Sequence, residues 1–497
     1  MWHSARMVTA ITRYGTVSGE TVDGVARFLG IPYAASPTGP LRFQAPAPPP
    51  PWDGVRECVA FGPTPPKPDY AAPFDTLLPE PNIPGDDWLN LNIWTPDLAG
   101  HAPVMVWIHG GGFSNGNSAV PVYDGYTFAR DGVVLVSINY RLGIDGFALL
   151  PETPANRGLL DQVAALEWVR DNIAAFGGDP ASVTIFGESA GGMSVTTLLG
   201  MPRAQGLFTR AIAESGAAQV AATAADARLV TGELSSALGF EATAASLADL
   251  DLDKLIAAQT AVRDALGAAP DPARFGASVV ASSLPFLPVI DGDVLPVHPL
   301  AALTAGGGSD IPLLVGTNTE EFRLFLVPNG VAAMVTDENL PAFLSGLGIS
   351  PHVAAVYRAD RPQDSAGDIL CALVTDLFFR VPAFAAAEAR ADGPASTYVY
   401  EFAWRSPVQN LGAAHGMEIA FVFDNLALAG ADQLLGSAPP AGLAADMHAT
   451  WIRFATTGDP GWQPFDASYP VMTWDGATAE VVHDPRGDQR RAWASVD

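Results

Sequence analysis

From Pro103 onward the chain alternates two kinds of apolar pattern. Val104 to Ile108, Val133 to Ile138 and Val183 to Phe186 are short, nearly continuous apolar runs, which predict strands in a sheet covered on both faces. Between the second and third lies Leu159 to Ala175, where Val163, Leu166, Val169 and Ile173 recur at three- and four-residue steps, the spacing of one buried helical face. Phe176-Gly-Gly-Asp-Pro180 stops that helix, since glycine favours the left-handed cap and proline cannot continue the ladder. Strand, helix, strand in this order predicts mostly parallel pairing. Further strands are predicted at Thr209 to Ala213, Ile311 to Val315, Thr397 to Phe402 and Ala479 to Val482. Residues 222–275 and 330–393 are Ala-rich with helical spacing and are expected to form the outer layer and part of a lid.

Before Pro103 the pattern is different. Val8 to Thr12, Thr16 to Ser18 and Val25 to Leu29 are broken by Tyr14-Gly15 and Asp23-Gly24, which reads as antiparallel hairpins. Dense prolines at Pro32–Pro51 and Pro63–Pro84 exclude regular helix or central strand and predict ordered surface loops beside the site entrance. The fold class expected is therefore α/β: a large, mostly parallel sheet flanked by helices, with N-terminal antiparallel hairpins and helical lid insertions. No repeat or linker divides the chain, so one elaborated domain over 1–497 is expected. Residues 1–6 are read as dispensable, with Met7 an alternative start.

Composition narrows the function. The 497 residues are 48% hydrophobic and 16% charged, enough for a large core, and the net charge of −27 repels nucleic-acid phosphates and anionic headgroups. No nucleic-acid or membrane partner is expected; the oligomeric state is left open, with a monomer plausible. Cys58 and Cys371 lie far apart without metal-ligand spacing, so neither a metal site nor a disulfide framework is implied. No signal-peptide core and no run of the roughly 18 apolar residues that a membrane span needs is evident, and a cytoplasmic location is the expectation.

The chemistry is carried by Ser182-Val-Thr-Ile-Phe-Gly-Glu-Ser-Ala-Gly-Gly192. An apolar β-branched run ends in Gly187-x-Ser189-x-Gly191, and a helical pattern follows at once. Serine can sit on so sharp a strand-to-helix turn only where its neighbours lack bulk, as in a nucleophile elbow. A serine hydroxyl is a poor nucleophile until a base takes its proton, and on such a fold the order is Ser, then Asp or Glu, then His.

Five histidines follow Ser189. His448 falls inside a helical pattern, His352 opens a helix, His298 is Pro-flanked and His483 ends a terminal strand. His415 alone lies on a small-residue loop, Gly412-Ala-Ala-His-Gly416, after a strong strand. The acid should lie just past the carboxyl end of a parallel strand, which Gly316-Thr-Asn-Thr-Glu-Glu321 supplies; this reasoning leaves Glu320 and Glu321 as alternatives. Asp291 is assigned to a turn. Finally, His109-Gly-Gly-Gly112-Phe113 follows a strand and offers bare backbone N–H groups to an oxyanion, with Ala190 adding another donor. His109 itself is read as structural.

These residues resemble the type-B carboxylesterase family, which includes the cholinesterases, and most of all its bacterial branch. Gly30-Ile-Pro-Tyr-Ala34, Gly39-Pro-Leu-Arg-Phe43, Trp52-Asp-Gly-Val55, Asp86-Asp-Trp-Leu-Asn-Leu-Asn-Ile93, Asn139-Tyr-Arg-Leu-Gly143, Gly158-Leu-Leu-Asp-Gln162, Phe176 to Gly192 and His415 to Phe423 carry the likeness. The resemblance implies Ser189 as nucleophile, Glu321 as acid and His415 as base. It implies Gly111, Gly112 and Ala190 as oxyanion donors and a supporting role for Glu188 and Ser215. It also implies ion pairs Arg42–Asp86 and Arg141–Asp161. Departures from the family stand out at Trp88, where it often has a disulfide cysteine, and at Asp86 and Phe322, where it usually has glutamate and glycine.

The function expected is hydrolysis of short-chain alkyl and aryl carboxylic esters through an acyl-enzyme on Ser189, with no metal or organic cofactor. Two alternatives are a hydrolase of carbamates, amides or polyester fragments using the same triad, and a non-catalytic binding module of the same fold.

Overall fold

The computed structural model describes residues 6–494. Fifteen strands form among them: β1 (Arg6–Ile11), β2 (Thr16–Val22), β3 (Val25–Pro32), β4 (Val55–Glu57), β5 (Asn90–Thr95), β6 (Ala102–Ile108), β7 (Val134–Ile138), β8 (Gly178–Glu188), β9 (Arg210–Glu214), β10 (Ala222–Thr223), β11 (Val289–Ile290), β12 (Leu313–Asn318), β13 (Thr397–Phe402), β14 (Pro470–Trp474) and β15 (Ala479–His483). All but β10 and β11 belong to one sheet, ordered β1-β2-β3-β5-β7-β6-β8-β9-β12-β13-β14-β15 with β4 beside β2. From β7 to β14 neighbouring strands are parallel. The N-terminal strands and β15 pair antiparallel at the two flanks, except β4, which runs parallel to β2. The expected fold class is the one observed.

Why the central runs read as continuously apolar is visible in β6. Val104, Val106 and Ile108 face one buried cluster, while Met105 and Trp107 face another on the opposite side of the sheet. Alternation divides a single apolar string between two cores. Leu159, Val163, Leu166 and Val169 of helix Arg157–Asn172 belong to the first cluster. Leu443, Met447, Trp451 and Phe454 of helix Ala441–Thr457 belong to the second. Trp107, fully buried, touches Tyr123, Phe186 and Phe423 with ring centroids 4.9 to 5.1 Å apart; truncating such a residue to Ala costs about 3–5 kcal/mol.

Some elements depart from expectation. The strand expected at Ile311 to Val315 starts later, at Leu313, because Pro312 has no N–H for the ladder, and it extends to Asn318. β5 was not predicted, since Asn90, Asn92 and Thr95 interrupt its apolar pattern; all three are buried and bonded. Asn92, for example, donates to Ser118 and Ser137 and accepts from the Gly30 N–H. Residues 1–5 of the segment read as dispensable lie outside the described residues, while Arg6 begins β1.

The helical stretch Ala366–Glu388 is long and apolar enough to span a bilayer by composition, but 72% of its most apolar window is buried inside the protein. It is a core helix of this fold. Both cysteines are free and buried.

Of the two ion pairs implied, Arg141–Asp161 forms, bidentate and buried, with Nε and Nη2 on the two carboxylate oxygens at 2.8 and 2.7 Å. Arg42 does not meet Asp86. Its Nη1 donates to the carbonyls of Leu247, Ala248 and Leu250, which draw the guanidinium to Asp145, 3.3 Å from Nε; Asp86 is exposed.

The Pro-rich loop from Pro63 to Pro84 closes without a disulfide. The Thr64 N–H donates to Ile83 O, the Ile83 N–H donates to Thr64 Oγ1, and Lys67 Nζ lies 2.8 Å from Glu80 Oε2 and donates to Asn82 Oδ1. Lys67 is almost wholly buried, its side chain 1% exposed.

Candidate active site

Four neighbouring parallel strands, β6, β8, β9 and β12, all end at one edge of the sheet, where α/β folds collect their sites. At the end of β8, Ser189 adopts φ 55°, ψ −122° and helix Ala190–Gly200 begins at the next residue. That backbone is strained for a residue with a Cβ and is held by its surroundings: the Ser189 N–H donates to Glu214 O and the Met193 N–H to Ser189 O. The close approach needs a glycine at 191, where a Cβ would stand 2.0 Å from Ile108 O.

β12 ends at Asn318, and Glu321 follows, fully buried. The adjacent strand β13 leads into the loop that carries His415, whose Nδ1 lies 2.7 Å from Glu321 Oε2. The other Glu321 oxygen accepts the Asn318 N–H at 2.8 Å. Nε2 of His415 faces Glu188 Oε1 at 3.0 Å, a close ionic contact. The Ser189 hydroxyl makes no hydrogen bond among the described residues. Ser189, Glu321 and His415 are thus gathered at one edge, with the imidazole anchored on its carboxylate side and its contact with the serine open.

The Gly-rich turn after β6 lies beside them. The N–H groups of Gly111 and Gly112 donate to no other described residue. The N–H of Ala190 opens a helix, where first-turn donors lack intrahelical partners. Gly111, at φ +107°, passes so close to Asn115 that a Cβ would stand 2.2 Å from its carbonyl oxygen. His109 stacks on Tyr140 with ring centroids 4.5 Å apart, its Nδ1 is 2.8 Å from Gly110 O, and burial pushes it down to about 4. It stays neutral and supports the turn.

Buried carboxyls surround the imidazole. Burial pushes Glu188 up to about 8 and Glu418 up to about 7, and Glu214 also well above the ordinary carboxyl range. Burial works against a charged imidazole, but Glu188, Glu321 and Glu418 outweigh it and lift His415 to about 9. The cluster therefore holds fewer negative charges than carboxyl groups near neutral pH. Ser215, with φ 44°, donates to Glu418 Oε1 at 3.3 Å, and Asn318 Nδ2 donates to Glu418 Oε2.

Sequence reasoning missed Glu418 and Glu214. Glu418 lies three residues after His415, and Glu214 accepts the Trp451 indole N–H at 2.8 Å. The only signal for either was a carboxylate in a segment otherwise apolar.

A cavity of about 550 Å³ opens over Ser189 and His415, walled by Tyr70, Phe74, Leu284, Phe322, Phe379 and Met417 among others. Besides His415, its acidic and basic lining residues are Glu80, Glu188 and Arg263. Phe322, the departure from the family's glycine, packs against Phe325, Phe378 and Phe379, with centroids 5.1 to 5.8 Å apart. Phe325 and Phe379 in turn flank the His415 ring at 5.3 and 4.7 Å. Phe378 and Phe379 project from a π-helical turn, Asp376–Arg380. No group of three or more metal-ligating side chains converges among the described residues.

Comparison with known proteins gives a consistent result. The carboxylesterase family model matches residues 6–484. The chain is 39% identical to a para-nitrobenzyl esterase of Bacillus subtilis (strain 168), over 97% of each chain. It is 34% identical to a phenmedipham hydrolase of Pseudarthrobacter oxydans, over 96% of each. The crystal structure of a Geobacillus stearothermophilus carboxylesterase superposes with a TM-score of 0.85 at 36% identity, covering 98% of this chain and 99% of that one. With the mostly parallel sheet, the serine elbow and the apolar cavity already described, these matches show that the chain belongs to the carboxylesterase family and is a carboxylic ester hydrolase.

Proposed function

We propose that Ser189 is the nucleophile, His415 its general base and Glu321 the acid that orients the imidazole, acting on short-chain alkyl and aryl esters held in the apolar cavity. The observation that most supports this reading is the 2.7 Å contact of His415 Nδ1 with Glu321 Oε2 beside the elbow that carries Ser189. His415 Nε2 takes the hydroxyl proton as Ser189 Oγ bonds to the acyl carbon, and the carbonyl becomes an oxyanion facing the N–H groups of Gly111, Gly112 and Ala190. Collapse expels the alcohol, which leaves with the proton from His415. Water then repeats the sequence on the acyl-enzyme and releases the acid.

The open serine–imidazole contact closes in the substrate complex, since such bonds tighten when substrate is bound. Glu188 bears on the imidazole at Nε2, the edge that faces Ser189, and Ser215 bears on the site through Glu418.

The test is hydrolysis of p-nitrophenyl acetate and butyrate by the wild type and by Ser189→Ala. Removing the nucleophilic serine of such a triad costs up to about 10⁶ in kcat, so the variant should lose at least about 10³-fold. Retention of most turnover refutes the assignment. A relative named for phenmedipham hydrolysis gives reason to assay carbamate and anilide analogues in parallel, comparing kcat/KM across the three bond types.

A further inference from the structure

Two consecutive carboxylates join the end of β12 to the loop that carries His415. Glu321 holds the imidazole itself, and its backbone carbonyl accepts the His415 N–H at 3.2 Å. Glu320 holds the backbone two residues earlier: its N–H donates to Ala413 O at 2.9 Å, and the Ala413 N–H donates back to Glu320 Oε2 at 3.0 Å. Asn318 Nδ2 completes the seam by donating to Ala414 O at 2.7 Å. No strand runs through this loop. Besides a single bridge between Ser406 and Gly412 and the two bonds from Arg323 to Asn410 O, these bonds hold it nearest to His415.

Glu320 is itself fixed from outside. It is 9% exposed, and its Oε1 lies 2.9 Å from the guanidinium of Arg405 and 3.9 Å from that of Arg323. The loop passes directly over the carboxylate at Gly412, where a Cβ would stand 2.2 Å from Glu320 Oε2. A longer or shorter side chain at 320 could not fill this place without moving the loop.

We infer that Glu320 is a positioning residue: by accepting the Ala413 N–H it sets how far the His415 imidazole reaches toward Ser189. The inference rests on His415 being the general base. The quantity at stake is placement, and displacement of a reacting group by about 1 Å costs about 10²-fold in rate. What matters most is an acceptor oxygen at that reach; Gln keeps it for the Ala413 N–H but turns its NH2 toward Arg405 in place of the ion-paired oxygen, so Gln should be impaired least, and Asp, one methylene shorter, and Ala more.

The experiment compares Glu320→Gln, Glu320→Asp, Glu320→Ala and His415→Ala on p-nitrophenyl butyrate, each normalised to folded protein by circular dichroism. Glu320→Gln is expected to keep more of the wild-type kcat than either Asp or Ala, and Glu320→Ala to lose about 100-fold with KM changed less than about twofold. Glu320→Asp should be impaired despite keeping the charge, and this contrast with Gln decides the matter if the Ala variant does not fold. A second readout is the low-field proton resonance of the His415–Glu321 hydrogen bond, which should persist in the Gln variant and broaden or vanish in Asp and Ala. A Gln variant as impaired as Ala, or folded Asp and Ala variants at full kcat with that resonance intact, overturns the inference. Full turnover by His415→Ala overturns the reading of His415 as well. An inactive His415→Ala beside a fully active Glu320→Ala overturns only the positioning role.

Discussion

Glu188 Oε1 stands 3.0 Å from His415 Nε2, on the ring edge opposite Glu321. An anionic Glu188 holds the proton on His415 and so raises the pH at which the free base appears. His415 is lifted to about 9, and with His415 as the proposed general base, activity should grow as pH rises through that value. Replacing Glu188 with Gln removes a negative neighbour, destabilises the imidazolium and lowers that pKa. The acidic limb of the kcat/KM profile should therefore move down by about one pH unit. An unmoved limb would refute the coupling of Glu188 to His415.

Gly111 tests the proposed oxyanion turn. A methyl group there meets the Asn115 carbonyl at 2.2 Å, so Gly111→Ala must displace the turn and its N–H groups. Loss of one such donor costs about 2.7–4 kcal/mol, or about 10²–10³ in kcat. Steady-state kinetics should show that fall with KM little altered.

Phe322→Gly restores the family's usual residue and removes a ring that lines the cavity and braces Phe378 and Phe379. The variant should gain kcat/KM toward bulky esters relative to acetate, read in an acyl-length series with the leaving group held constant. A parallel loss on all substrates would show that the ring serves to hold the His415 surroundings rather than to limit size.

Arg141→Met leaves Asp161 charged and buried without its partner. Breaking such a pair from one side costs about 3–5 kcal/mol, measurable as a lower midpoint in urea unfolding. The double variant Arg141→Met, Asp161→Leu should recover much of that loss, since no charge is then left stranded.

The sheet was legible where one string of apolar residues serves two cores, as in Val104 to Ile108, and the chain's family was legible in motifs set close together in sequence. β5 was not, because Asn92 satisfies its polarity with Gly30, Ser118 and Ser137, partners distant in sequence. Arg42 was misassigned for a similar reason: its carbonyl acceptors come from residues 247–250, two hundred positions away. Glu320 and Glu321 look alike as letters, and only the geometry of the facing loop gives them different neighbours. Glu214 and Glu418 left no periodic trace, because their significance lies in which strand ends are adjacent and not in spacing.

The burial of Lys67 beside Glu80 has a practical corollary. The chain contains two lysines, Lys67 and Lys254, and with the first sealed inside the entrance loop, Lys254 is the one side-chain amine that solvent reaches. Amine-directed coupling to a resin or a dye should therefore attach the enzyme at the start of helix Leu252–Ala268 or at its amino terminus. That helix also bears Arg263 at the cavity wall, so a tether at Lys254 would be anchored on an element that reaches the cavity.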